Sequence, residues 1–177
     1  MRLSSLLSAS VAVLALGCGT ASAKETPIGT PIKQDAMEIS SVYLQPIEME
    51  PAGMMLPADK ADVHLETDIH ATAGNPNGFA DGEWVPGLEV SYEVVKLDSG
   101  QKASGKYMPM VANDGPHYGD NAKLFGAGKY RLTLKISPPG MNFGRHVDKE
   151  TGVGPWFKPF TVTEEFTYLG NGKKGGY

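Results

Sequence analysis

The stretch Ala61–Pro76, ADVHLETDIHATAGNP, sorts into two faces when read as a β-strand, because alternate side chains of a strand point to opposite sides. Val63, Leu65, Thr67 and Ile69 fall on one face and suit a core. His64, Glu66, Asp68 and His70 fall on the other, a row of metal-capable or proton-exchanging groups. At about 3.3 Å per residue, His64 and His70 stand roughly 20 Å apart on a straight strand and cannot share one ion. His64 and Glu66 stand about 7 Å apart and can share a site or flank two adjacent ones. The competing reading is a solvated strand face with two ordinary histidines, and this stretch alone leaves both open.

Working outward, the same alternation recurs. Ala36–Leu44 (AMEISSVYL) reads as a strand. Leu88–Leu97 places Leu88, Val90, Tyr92 and Val94 on one face, and Gly128–Ser137 does so with Tyr130, Leu132, Leu134 and Ile136. Trp156–Leu169 is the last strand, with Trp156, Phe160, Val162, Phe166 and Tyr168 available for the core. Asp98-Ser99-Gly100 is a hairpin turn, after which Gly105–Val111 returns as a strand; Asn113–Pro116 then breaks the chain. Lys24–Asp35 reads as an extended arm. Gln45–Lys60, with three prolines and three methionines (Met49, Met54, Met55), reads as a long loop, as do Gly74–Gly87 and Pro138–Gly154. Gly170–Tyr177 reads as a Gly- and Lys-rich tail. No segment sustains a helical period. The pattern predicts an all-β fold: an immunoglobulin-like antiparallel β-sandwich forming a single domain over 24–177.

Composition narrows the function. With 177 residues and 41% hydrophobic content, the chain can bury a real core. Its net charge of −4 argues against nucleic acid as a partner. Residues 1–23 read as a signal peptide. Arg2 supplies the positive end, and the apolar run Leu6–Leu16 is too short to span a bilayer. Ala21-Ser22-Ala23 fits the cleavage signature, so the mature chain is expected to begin at Lys24. Ala15-Leu16-Gly17-Cys18 is a weaker rival, a lipoprotein site at which Cys18 would be lipidated. Cys18 is the sole cysteine, so a mature chain starting at Lys24 has neither disulfide nor thiolate, and its sulfur ligands come only from methionine.

Four histidines remain: His64, His70, His117 and His146. His117 follows Met110 by seven residues across the Gly115-Pro116 turn, so a strand end followed by a loop can fold one ligand back near the other. His146 lies in the polar loop GRHVDKETG. One constellation joins His64, Met110, His117 and His146, a borderline-to-soft donor set suited to copper in either oxidation state. Glu66, with Asp114, would add the harder oxygen ligands that suit iron or manganese. Against this, Met108 and Met110 lie at i, i+2 and could be core packing. His146, beside Arg145 and Lys149, could be a solvated loop residue, and His70 could serve the following turn. There is no phosphate-binding glycine loop, no G-x-S-x-G and no H-E-x-x-H.

The segments VYLQPIEMEPAGMMLP, DVHLETDIHATAGNPNGF, GEWVPGLEVSYEV, YMPMVANDGPHYGDN and GRHVDKETGVGPWFKPF resemble those of the bacterial periplasmic iron-transport family. Its members include the FetP-type proteins, known as periplasmic components of a high-affinity Fe2+/Pb2+ permease system. The resemblance runs from about Pro27 to Tyr168. It implies a small immunoglobulin-like sandwich that forms a homodimer, and a copper site of His and Met near the dimer interface. It also implies a role in iron uptake beside an inner-membrane iron permease. Carried over by motif, it makes His64, Met110, His117 and His146 the copper ligands. Glu66 becomes an adjustable ligand or part of a second, iron-preferring site, with Asp114, His70, Met54 and Met55 as weaker candidates. It also selects His64 over His70.

The resulting expectation is a periplasmic, non-enzymatic metal-binding protein that binds copper and iron and delivers iron to the permease. The alternatives are a copper-dependent ferroxidase or ferric reductase, and a periplasmic copper chaperone. An enzyme would need an electron donor or acceptor, and the sequence supplies no second redox centre. The carboxylates beside His64 weigh against a copper-only role.

Overall fold

The computed structural model describes residues 25–141 and 143–170. The expected signal peptide with Cys18, and most of the C-terminal tail, lie outside the described residues. Among the described residues, nine strands form two antiparallel sheets and there is no α-helix. In chain order the strands are β1 (Thr26–Gln34), β2 (Met37–Leu44), β3 (Val63–Ala71), β4 (Glu89–Lys96), β5 (Lys102–Lys106), β6 (Met108–Ala112), β7 (Gly115–Ala122), β8 (Gly128–Ser137) and β9 (Phe160–Tyr168). One sheet runs β1-β2-β3-β7-β6 and the other β5-β4-β8-β9. This is the immunoglobulin-like sandwich that the alternation predicts.

The inner faces supply the core. Val63, Leu65, Thr67 and Ile69 of β3 are fully buried, and face Val90, Tyr92 and Val94 of β4 and Leu132, Leu134 and Ile136 of β8 across the sandwich. A cluster of Tyr43, Tyr130, Phe166 and Tyr168 closes one end, with ring centroids 5.4–6.4 Å apart.

Four strand readings change. The arm Lys24–Asp35 is largely strand β1. Its sequence hides this because it is an edge strand, where Pro27 and Pro31 are tolerated and only Ile28 is buried. It joins β2 through Asp35 and Ala36, both at positive φ, which fits a two-residue hairpin turn. The return strand Gly105–Val111 is two strands. Tyr107 is the buried crossing point at which the chain leaves one sheet as β5 and enters the other as β6. Two residues earlier, Gly105 leaves room for the Tyr92 ring of its register partner, since a Cβ there would lie 2.6 Å from that ring. Residues 115–122 form β7, so His117 stands on a strand; the turn itself is Asn113-Asp114. Finally, β9 begins at Phe160, after Pro159. Trp156 lies outside it, half-buried against Phe143, and Phe160 is only partly buried.

The outer face of β3 is covered over its first half by the segment between β2 and β3. That segment contains one 3-10 turn, Ala58–Lys60. The solvated-face reading therefore fails for His64 and Glu66, which are 1% and 6% exposed, and applies only in part to half-buried Asp68 and His70.

Candidate metal centre

The site is built from three adjacent strands. β3 pairs with β7, setting His64 opposite Asn121 and Glu66 opposite Gly119. β7 pairs with β6, setting His117 opposite Met110. Alternation turns His64, Glu66 and His117 to one face. One donor atom from each of these three lies within 4.8 Å of the others. Ligands at about 2.1 Å from a shared ion lie at most about 4.2 Å apart, so small side-chain rotations close the set on one cation.

The polar atoms point to the same use. His117 is 3% exposed, its Nδ1 is 3.5 Å from Glu66 Oε1, and its ring centroid is 6.0 Å from that of His64. Nε2 of both His64 and His117 is buried with no hydrogen-bond partner. Buried polar atoms are almost always satisfied, so two orphans on neighbouring rings call for a ligand. Backbone geometry makes room for one: a Cβ at Gly119 would lie 2.5 Å from His64 Nε2.

The electrostatics favour a cation. Burial pushes the His64 imidazole down to about 4, with the nearby His117 adding to the effect and the Asn121 hydrogen bond opposing it. Burial also lowers His117. Both rings are thus held neutral, the form that ligates metal. Burial, with Asp68, Glu25 and Asp114 nearby, pushes the Glu66 carboxyl up to about 8. Burial raises Asp68 too, and burial with Asp114 raises Glu25. A bound cation would offset the desolvation and repulsion that all three carboxylates share.

Two cavities meet at this point. A cleft of about 480 Å3 holds His64, Met110 and His117, with Met49 and Met54 on the covering segment. A smaller cup of about 160 Å3 holds Glu25, Asp68, His70 and Asp114. Glu66 and His117 line both and form the partition. The cleft offers imidazole and thioether, whereas the cup offers mainly carboxylate.

The structure thus brings together His64, Glu66 and His117, with half-buried Met110 on the wall of the same cleft. Among the weaker candidates, Asp114 and His70 line the cup and Met54 the cleft; Met55 faces a neighbouring hollow. His146 is not brought in. It is exposed on the loop after β8, with Nδ1 2.7 Å from Thr151 Oγ1. Sequence reasoning missed Gly119, Asn121 and Glu25. Their roles depend on strand register and on β1, for which the sequence carries no local signal.

The chain is similar to several known proteins. The family model described as Fe2+ transport protein matches residues 22–170. A UPF0423 protein of Brucella abortus is 65% identical over 168 residues, covering 93% of this chain and 92% of its own. FetP from uropathogenic Escherichia coli, expressed recombinantly in the periplasm, is 57% identical with a TM-score of 0.80; the match covers 83% of this chain and 97% of FetP. The copper-reconstituted P19 protein from Campylobacter jejuni is 54% identical with a TM-score of 0.82, covering 85% and 99%. A buried His/Glu cluster on the outer face of an immunoglobulin-like sandwich, in a sequence matched almost end to end by that model, makes this chain a member of the Fe2+ transport protein family.

Proposed function

We propose that the chain is a periplasmic metal carrier of a high-affinity iron-uptake system. It binds copper in the His/Met cleft and iron in the adjoining carboxylate cup, and delivers iron to an inner-membrane permease. The observation that carries the copper half is the cluster of His64, Glu66 and His117, one donor atom of each within 4.8 Å of the others, in which Nε2 of both histidines is buried and unpartnered. Neutral imidazoles beside a methionine thioether suit copper, and a thioether favours Cu(I). The copper held by the related P19 protein supports the same assignment. The iron half rests on the cup of Glu25, Glu66, Asp68 and Asp114, which are hard oxygen ligands, and on the family to which the chain belongs.

The resemblance counts His146 among the copper ligands, yet within one chain His146 stands apart from the cleft. A homodimer reconciles the two: the partner subunit's His146 reaches the cleft of its neighbour. Copper occupancy would then favour association by mass action. In this reading Glu66 and His117 separate the two ions and answer to both.

Calorimetric titration with Cu2+, followed by Mn2+ as an air-stable stand-in for Fe2+, tests the reading. The expected result is one tight copper per chain and further Mn2+ binding to the copper-loaded protein. Glu66→Gln should keep copper and weaken Mn2+. If both metals bind the variant unchanged, the two-site reading fails. The reading is of a carrier rather than an enzyme. Turnover of many equivalents of Fe2+ or Fe3+ per copper would overturn that part.

A further inference from the structure

Asn121 is a buried β7 residue, 2% exposed, paired in register with His64. Every hydrogen-bonding position of its amide that the surroundings can reach is used. Oδ1 accepts the Ile47 N–H at 3.2 Å and lies 3.1 Å from His64 Nδ1. Nδ2 donates to the Ile47 carbonyl and to the Leu56 carbonyl, each at 2.8 Å. Two carbonyls on one side can be met only by an NH2 group, so the orientation of the amide is fixed. The atom facing His64 is therefore oxygen, which can only accept. His64 Nδ1 must carry the hydrogen, and His64 Nε2 must carry the lone pair. That second nitrogen is the one left buried and unpartnered in the cleft.

Ile47 and Leu56 stand near the two ends of the covering segment between β2 and the 3-10 turn. That segment also contributes Met49 and Met54 to the cleft wall. One side chain thus holds both ends of the cover and one ligand of the site. We infer that Asn121 is a positioning residue of the metal centre: it fixes the tautomer and direction of His64 and ties that ligand to the closure of the segment 45–57. The inference rests on the reading of His64 as a metal ligand. A partner of this kind orients an imidazole and typically governs metal affinity by about 10- to 100-fold. It also makes ordering of the cover and presentation of the ligand a single event, because the same amide serves both.

The test uses the whole mature chain and two variants. Asn121→Asp keeps an acceptor for His64 but cannot donate to the two carbonyls. Asn121→Leu removes both functions. In metal-free wild type, histidine 15N NMR should show His64 with its proton on Nδ1. Asn121→Asp should keep that tautomer while amide exchange across 45–57 rises at least tenfold. Asn121→Leu should lose the tautomer preference, and its copper affinity should fall about 10- to 100-fold. A proton on Nε2 of His64 in wild type would overturn the inference. So would unchanged exchange across 45–57 in Asn121→Asp, or copper affinity in folded Asn121→Leu within twofold of wild type. If Asn121→Leu does not fold, the wild-type tautomer and the Asn121→Asp exchange still decide. Wild type that binds no copper sinks the metal reading instead, and the metal-free measurements judge Asn121 separately.

Discussion

Met110 and His117 are direct cross-strand partners in the β6–β7 hairpin, each separated by two residues from the Asn113-Asp114 turn. Their Cβ atoms therefore lie about 4.5–5.5 Å apart on one face. A slip of one residue would send one of them to the opposite face. The short turn thus sets the pairing of thioether and imidazole, and the backbone delivers both donors to one wall of the cleft.

Met110→Leu separates packing from ligation. The substitution nearly conserves volume and should cost less than about 1.5 kcal/mol of stability. Copper affinity should fall at least 10-fold, and more for Cu(I) than for Cu(II), because only the soft ion favours thioether. Competition with a chromophoric Cu(I) chelator measures this. Unchanged Cu(I) affinity would return Met110 to a packing role.

Gly119→Ala should damage fold and site together. The added methyl would meet His64 Nε2 at 2.5 Å and the Leu65 carbonyl oxygen at 2.9 Å, and the second contact is backbone that cannot swing away. Overpacking of this kind costs about 1–3 kcal/mol. The expected result is a lowered Tm in the metal-free protein and loss of the stabilisation that copper gives wild type. Thermal unfolding with and without Cu2+ reads both.

Glu66 should give the metal-free protein a stability that falls as pH rises. Its folded pKa, about 8, is above the ordinary carboxyl value of 4.5, so the folded state holds the extra proton between those limits. The contribution is full below about pH 4.5 and is lost as pH rises through about 8. His64, lowered to about 4 from 6.5, acts oppositely: stability rises with pH between about 4 and 6.5. His117, also lowered by burial, acts in the same direction as His64, and both fade as pH rises past about 7, so the slope between about 7 and 8 reports mainly Glu66 and is no steeper than about 1.4 kcal/mol per pH unit. Glu66→Gln should flatten that slope in denaturant titrations. A metal that uses the ionised carboxylate should also release close to one proton at pH 7, and the variant should release none.

The legibility of this protein followed local pattern. β8 was readable to the residue, because Tyr130, Leu132, Leu134 and Ile136 alternate without interruption. β1 was not, because an edge strand that buries only Ile28 needs no apolar alternation. The division of the return strand into β5 and β6 was hidden, since a change of sheet at Tyr107 leaves the strand pattern unbroken. At the site, residue chemistry exposed His64, Glu66, Met110 and His117 as candidates. Gly119 and Asn121 were invisible because each matters only through its partner on β3, and register is not written in either strand alone. His146 was readable as a metal-capable residue, but its place outside the cleft was not, because that depends on where the loop after β8 carries it.

The loop around His146 yields the last prediction. Thr151 Oγ1 donates to Asp148 Oδ2 at 2.8 Å and lies 2.7 Å from His146 Nδ1. A carboxylate can only accept, so the threonine hydrogen is committed to Asp148 and its oxygen receives the Nδ1–H of His146. Hydrogen bonds from the Thr151 backbone N–H, the Thr151 hydroxyl and the Glu150 backbone N–H hold the Asp148 carboxyl below its usual value, and so keep it ionised. The chain Asp148–Thr151–His146 therefore leaves the Nε2 lone pair of His146 outward, in the form a metal requires. If His146 serves the neighbouring subunit, His146→Ala should leave the Tm of the metal-free protein unchanged and lower copper affinity sharply. It should also remove any copper-dependent shift toward dimer in sedimentation. Thr151→Val should act in the same direction by about 10-fold, and Thr151→Ser should restore wild-type affinity because it keeps the hydroxyl. A His146→Ala protein with wild-type copper affinity and wild-type association would remove His146 from the ligand set and leave it a solvated loop histidine.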